Sequence, residues 1–266
     1  MEYRPLGRTG FHVSVLGFGC GGVGGLLTGD DQRLMIAVVE RALELGINYF
    51  DTAQLYGDGK SERNLGQVLQ ILKPNVVVGT KIRLTPPDME RIEHAVTEAV
   101  ELSLTRLQLE QIPLLQLHNA LGLHRRPATS CLGLAELEQV ITAFDKLQSS
   151  GKIHAWGING LGDTDALHQA VAHSGAATIQ ICYNLLNPSA GRVMPPDFPF
   201  QDYRNLIPAA GRMQMGVIAF RVLAGGALSG QTDRHPTAAA SVDPIASGHD
   251  YETDQVHSRA FDYLVS

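Results

Sequence analysis

Short apolar, β-branched runs alternate along the chain with longer stretches whose apolar positions recur every three to four residues. Seven runs read as strands: Val13 to Leu16, Asn48 to Asp51, Val76 to Lys81, Leu114 to His118, Ala155 to Asn159, Thr178 to Tyr183 and Gly216 to Phe220. Several are almost continuously apolar, such as Val76-Val77-Val78 and Thr178-Ile179-Gln180-Ile181, which predicts strands buried on both faces, as in a parallel sheet. Between them, Ile92, Val96, Ala99, Val100 and Ser103, or Leu134, Leu137, Ile141, Phe144 and Leu147, each place an apolar stripe along one helix face. Gly46 and Gly151 stand where a left-handed C-cap ends a helix before the next strand. Strand followed by helix, repeated at the spacing of a βα unit, predicts an α/β fold, either a barrel or a doubly wound sheet. Ahead of this rhythm, Tyr3 to Leu6, Gly7-Arg8-Thr9-Gly10 and Phe11 to Val13 predict a hairpin able to plug the bottom of a barrel. Two stretches lack periodicity, Leu186 to Phe200 with four prolines and the Gly/Ala/Ser/Pro-rich Gly225 to Gly248. Loops of that length in a compact domain are usually functional or disordered.

The chain has 266 residues, 44% of them hydrophobic, which suits a single α/β barrel domain over 1–266. A formal net charge of −6, with no cluster of Lys and Arg, argues against nucleic acid and anionic membrane as main partners. Cys20, Cys131 and Cys182 are too few and too scattered for a disulfide framework and lack the spacing of a zinc site, so reduced thiols and no metal are expected. No apolar run approaches a membrane span and the opening residues do not read as a signal peptide, so a cytoplasmic protein is expected. Oligomeric state is not encoded in any visible pattern.

Gly17-Phe18-Gly19-Cys20-Gly21-Gly22 matches a dinucleotide-binding GxGxxG after a strand, with Glu40 some way downstream. That motif must open directly into a helix whose N-terminus holds the pyrophosphate. Here the helix starts only near Asp30, so the glycines read as a flexible loop at the end of the first strand, where Gly19 still allows close approach of a ligand.

More telling are four polar residues at the C-terminal ends of strands two to four, the rim on which barrel enzymes place their chemistry: Asp51, Tyr56 just after it, Lys81 and His118. Each alone has an ordinary reading as cap, packing residue, snorkelling cation or core polar group. Together they fit the reduction of a carbonyl, which needs a proton donor for the developing alkoxide. A tyrosine, with an ordinary pKa of about 10, serves near neutrality only with help. A neighbouring lysine ammonium favours the phenolate, an aspartate keeps that lysine charged, and a histidine can donate to the carbonyl oxygen.

Asp51 and Tyr56 lie in Gly46-Ile-Asn-Tyr-Phe-Asp51-Thr-Ala-Gln-Leu-Tyr56-Gly57, followed by Ser61-Glu62 and Leu65-Gly66, which resembles the signature of the aldo-keto reductases. The resemblance continues through Val78-Gly79-Thr80-Lys81, Ser103 to Leu107, Leu115 to Asn119, Gly151-Lys152-Ile153, Gly157-Ile158-Asn159 and Tyr183 to Leu186. It implies a (β/α)8 TIM-type barrel and an oxidoreductase that interconverts a carbonyl, aldehyde, ketone or sugar, with an alcohol by hydride transfer from or to NADP(H), with NAD(H) as the alternative. Tyr56 would be the acid/base, Asp51 and Lys81 would tune it, and His118 would orient the carbonyl. Asn159 and Gln180 would bind the nicotinamide carboxamide, and Phe220 would stack on the ring. Arg221, Leu223, Gly225 and Leu228 would wrap the pyrophosphate, with Gly19 and Asp51 also beside the cofactor. The run Arg221-Val-Leu-Ala-Gly-Gly-Ala-Leu-Ser-Gly further resembles the branch that oxidises aldoses.

The family has eight βα units, whereas seven strands are identifiable here. Residues 254–264 read as a seventh helix, so an eighth unit and the family's 2′-phosphate clasp are expected to be missing. That expectation keeps a second class of function open: a cofactor-binding regulatory protein, as the potassium-channel β subunits resemble reductases, or an inactive truncated reductase. Pro113 stands where the family usually carries Asp, and is expected at the first residue of a strand, where no ladder donor is lost. Phe198, Phe200 and Tyr203 are candidate pocket walls or loop packing.

Overall fold

The structure, a computed structural model, describes residues 1–21, 25–226 and 228. The chain opens with a hairpin, β1 (Tyr3–Pro5) and β2 (His12–Ser14), paired antiparallel. Then β3 (Phe18–Gly19), β4 (Tyr49–Asp51), β5 (Val77–Ile82), β6 (Ile112–Leu117), β7 (Ile153–Asn159), β8 (Thr178–Cys182) and β9 (Gly216–Phe220) pair in sequence order as one parallel sheet. The helices α1 (Gln32–Glu44), α2 (Lys60–Leu72), α3 (Ile92–Leu107), α4 (Leu134–Ser149), α5 (Thr164–His173) and α6 (Leu206–Arg212) alternate with them. This is the TIM-barrel type of α/β fold. Among the described residues β3 and β9 are the two edges of the sheet, and the helix expected over 254–264 lies outside them.

Alternation along each strand separates two cores. Ile82, Leu115, Leu117, Trp156, Ile158, Ile179 and Ile181 face outward into the stripes of α3, α4 and α5. Tyr49, Val77, Leu114 and Ala155 face inward and meet Leu6 and Val13 of the hairpin, with Ile218 of β9 packed against the same cluster. That residues of β4 and β9 share one small cluster with the hairpin shows how strongly the sheet is curled, and it makes the hairpin the barrel's floor. Arg8 donates to the carbonyls of Gly175 and Ala176 at 2.8 and 2.7 Å. Gly7 turns at φ +55° so close to β9 that a Cβ there would lie 2.0 Å from the Gly216 nitrogen.

The first sheet strand is not where β-branched content predicts it. Val13 belongs to the hairpin, Val15 and Leu16 are exposed, and the strand is Phe18–Gly19, within the glycine-rich run expected to be loop. Phe18 pairs with Phe50 in register, their rings 5.4 Å apart. A two-residue strand among glycines has no periodicity to detect. The GxGxxG run does not open a helix: a 3-10 turn at Leu26–Thr28 intervenes and α1 is capped by Asp31, whose carboxylate accepts from the Leu34 N–H at 3.1 Å. Gly22 of that run, with residues 23 and 24 after it, lies outside the described residues. Pro113 is the second residue of β6, not the first, and is tolerated because pairing with β5 begins one residue later at Leu114.

Candidate active site

The residues singled out by chemistry gather at the C-terminal rim. Asp51 ends β4, Lys81 lies near the end of β5 and His118 follows β6. Tyr56 is brought back over them by a turn in which Gly57, Asp58 and Gly59 take φ of +60°, +53° and +76°. This is the left-handed region that glycine enters without cost and Asp tolerates. The start of α2 anchors the turn: the Ser61 hydroxyl donates to the Cys20 carbonyl at 2.8 Å and lies 2.8 Å from the Thr52 hydroxyl. Glu62, fully buried, accepts from Thr80 on β5 and from Arg106 on α3, both at 2.6 Å. A Cβ on Gly66 would lie 2.7 Å from the Arg106 and Leu107 carbonyls, so the signature Ser61-Glu62 and Leu65-Gly66 locks α2 against its neighbours and thereby sets the Tyr56 turn.

At the centre, the Lys81 ammonium is 1% exposed and donates three ways: to Asp51 Oδ2 at 2.5 Å, to the Thr52 carbonyl at 2.7 Å and to Tyr56 Oη at 3.3 Å. Burial by itself would drive the ammonium toward neutrality, but the Asp51 carboxylate and then Tyr56 outweigh it and raise the Lys81 pKa above its ordinary 10.5. Lys81 therefore carries its charge throughout the physiological range. The ammonium also lies 4.8 Å from the centroid of the Tyr56 ring. Asp51 Oδ1 accepts from Gln180 at 2.6 Å and from Tyr49 at 3.0 Å. The His118 ring stands edge-on to Tyr56, centroids 6.0 Å apart at 86°.

His118 is held neutral. Desolvation, then the positive charges of Lys81 and Arg83, lower its pKa to about 3. Its Nδ1 is buried without a protein partner. We expect its imidazole signals not to titrate between about pH 5 and 8 in an NMR pH series. Because the folded state then takes up no proton where the unfolded chain does, His118 lowers stability as pH falls from 6.5 toward 3. A His118 signal moving with a midpoint near 6.5 would contradict this. The Cys20 thiol beside the pair is raised well above its ordinary value by burial and then by Asp51, which keeps it protonated and unreactive.

The rest of the rim holds the remaining expected residues. Gly19 pairs in register with Asp51, and a Cβ there would meet nothing within 4 Å, whereas one at Gly21 would lie 3.3 Å from the Tyr56 ring. Asn159 and Gln180, both buried, are register partners at the ends of β7 and β8. Phe220 closes β9. After it, Arg221, Ala224, Gly225 and Gly226 take positive φ, Asn184 donates to the Arg221 carbonyl at 3.1 Å, and the N–H groups of Gly226 and Leu228 close turns onto Leu223. Sequence reasoning missed Tyr49, which donates to Asp51, and the buried Gln116 in contact with it. Tyr203 is fully buried in the outer core and so packs the loop, while Phe198 and Phe200 pair with each other, centroids 5.3 Å apart. Among the described residues no group of His, Cys, Asp and Glu is arranged to hold a metal, and no helix is long and apolar enough to cross a membrane.

Against known proteins, the model of the aldo/keto reductase family matches residues 15–255. The chain belongs to the aldo/keto reductase family. This aldo/keto reductase is 30% identical over 284 residues to D-threo-aldose 1-dehydrogenase of Pseudomonas sp, covering 96% of the chain and 76% of that protein. It is 32% identical over 168 residues to L-galactose dehydrogenase of Arabidopsis thaliana, a match that takes in 60% of the chain and 49% of that enzyme. The chain thus spans about half the length of that relative. An aldo/keto reductase from Klebsiella pneumoniae, solved in complex with NADP and acetate, superposes with a TM-score of 0.61 at 26% identity, covering 83% of the chain and 67% of that protein.

Proposed function

We propose that the protein is an oxidoreductase that interconverts a carbonyl and an alcohol with NADP(H), Tyr56 serving as general acid and base. The observation that carries this reading is the Lys81 ammonium, which touches Asp51 Oδ2 and Tyr56 Oη from one buried position. In reduction, the Tyr56 O–H bond breaks and its proton passes to the substrate oxygen. The phenolate left behind faces the Lys81 charge, whose location is fixed before the reaction starts. In oxidation, that phenolate takes the proton from the alcohol. Neutral His118 retains one ring N–H with which to orient the substrate oxygen.

The rim suits a nicotinamide dinucleotide. Asn159 and Gln180 present two buried amides side by side for a carboxamide, Gly19 and Asp51 flank the same opening, and Phe220, at the end of β9, is the aromatic residue that would meet the ring. The loop through Arg221, Leu223, Gly225 and Leu228 winds through left-handed residues, a backbone form that turns N–H groups toward an anion such as a pyrophosphate. When bound, the nicotinamide supplies or accepts the hydride. The sugar-oxidising relatives and the family member crystallised with NADP favour a small carbonyl or sugar substrate and NADP(H).

The test is a titration of the purified chain with NADPH and NADH, followed by nicotinamide fluorescence, and then assays with aldoses, aldehydes and ketones. Saturable binding with NADPH tighter than NADH, and turnover of at least one substrate class, are expected. Absence of binding to either cofactor by a chain that melts cooperatively would overturn the reading.

A further inference from the structure

Beneath the Asp51–Lys81 pair, one side chain is placed by more sequence than core packing requires. Tyr49 is buried in the barrel interior at the level just below Asp51, and its hydroxyl donates to Asp51 Oδ1 at 3.0 Å. Two glycines make room for it. A Cβ on Gly17 would lie 2.8 Å from Tyr49 Cδ1, and one on Gly79, the register partner of Asp51 on β5, would lie 2.4 Å from the Tyr49 oxygen itself but 3.1 Å from Cζ. The space kept free at Gly79 is thus matched to the hydroxyl. A strand glycine weakens its strand and a buried hydroxyl costs free energy unless bonded. A phenylalanine opposite a larger residue would fill the same core without either cost.

We propose that Tyr49 is a positioning residue: with Gln180 it occupies one oxygen of Asp51, so that the other stays on Lys81. The inference rests on the proposed acid/base role of Tyr56, because what it positions is that residue's charged neighbour. Two donors on Oδ1 fix the carboxylate plane, and a fixed plane presents Oδ2 to the ammonium at 2.5 Å. Burial, then the Asp51 charge and hydrogen bond, push the Tyr49 pKa well above the usual phenol range, so Tyr49 stays a donor and does not relay protons. Gln180 also meets the Tyr49 hydroxyl, and its carbonyl remains an acceptor for a carboxamide.

The groups facing Lys81 are Asp51 on β4, Tyr56 after it, Cys20 after β3 and His118 after β6. Tyr49→Phe alters none of them and deletes one oxygen. With the positioning bond gone, kcat is expected to fall about 10-fold, with KM and cofactor affinity unchanged, as small misplacements of catalytic groups can do. In the protein without cofactor, the Lys81 side-chain NMR titration is expected at lower pH than in wild type, because a carboxylate free to turn holds the buried ammonium less well. Gly79→Ala, which crowds the hydroxyl without removing it, is expected to move the titration in the same direction. A Tyr49→Phe protein with wild-type kcat and wild-type Lys81 titration would overturn the proposal. The titration decides it even should the wild type turn over no carbonyl, an outcome that would count against the proposed function alone.

Discussion

Replacing Tyr56 by phenylalanine is expected to remove nearly all turnover while leaving cofactor affinity as it was. The substitution deletes only the oxygen that lies 3.3 Å from the Lys81 ammonium and keeps the ring that stands edge-on to His118. A group that moves a proton acts in the transition state, so its loss falls on kcat and kcat/KM together, by about 10² to 10⁴-fold for general acid–base catalysis. Steady-state kinetics in both directions, paired with a cofactor titration of the variant, measure this. Unchanged turnover would remove Tyr56 from the chemistry. Loss of affinity comparable to the loss of rate would instead make Tyr56 part of the cofactor's seat. A regulatory protein that uses the scaffold only to bind a dinucleotide would respond to the substitution in neither way.

The second large effect concerns Lys81, where catalysis and stability meet. Lys81→Met keeps the length of the side chain but leaves Asp51, only 19% exposed, with two neutral donors and no opposing charge. It also strips the Thr52 carbonyl of its donor. Breaking a buried pair in this way costs about 3–5 kcal/mol, which urea unfolding at neutral pH would show, together with loss of activity. The pH dependence has a definite sign. The folded Lys81 pKa lies above the unfolded value of 10.5, so its contribution to stability is complete below 10.5 and declines as pH rises through the folded value. The stability gap between wild type and variant should therefore narrow in strongly alkaline buffer and hold constant through neutrality. A gap that closed on acidification to pH 6 would point to a different origin.

The barrel rhythm and the four rim residues were legible because both depend on local signals. Continuous apolar strands such as Val77–Ile82, helix stripes such as those of α3 and α4, and polar residues at strand ends all follow from chain periodicity. The left-handed caps at Gly46 and Gly151, at φ +84° and +76°, were equally local. What escaped was determined across the barrel. Phe18–Gly19 is a strand because Phe50 and Asp51 lie beside it, a fact absent from its own glycine-rich surroundings. Tyr49 reads in sequence as one more apolar strand residue. Its hydroxyl becomes informative only beside Gly79 and Asp51, thirty residues away and two residues away. Gln116 reads as a polar interruption of an apolar strand, yet it is fully buried and its amide meets Tyr49. The signal that could have found both was polarity at positions the strand pattern turns inward.

The floor of the barrel also sets an order of events during synthesis. The hairpin's anchors lie far away in sequence: Arg8 bonds residues 167 and 168 positions later, and the Thr9 carbonyl meets His154 145 positions later. Gly7 fits only against Gly216. Once synthesised, the hairpin therefore waits for strands 145 or more positions downstream before its own contacts exist. At about 5–20 residues per second, that wait lasts on the order of 10 s or more, during which Leu6 and Val13 have no floor to complete. Closure of such distant contacts is slow for entropic reasons as well, so the nascent hairpin stays open to chaperones throughout that wait.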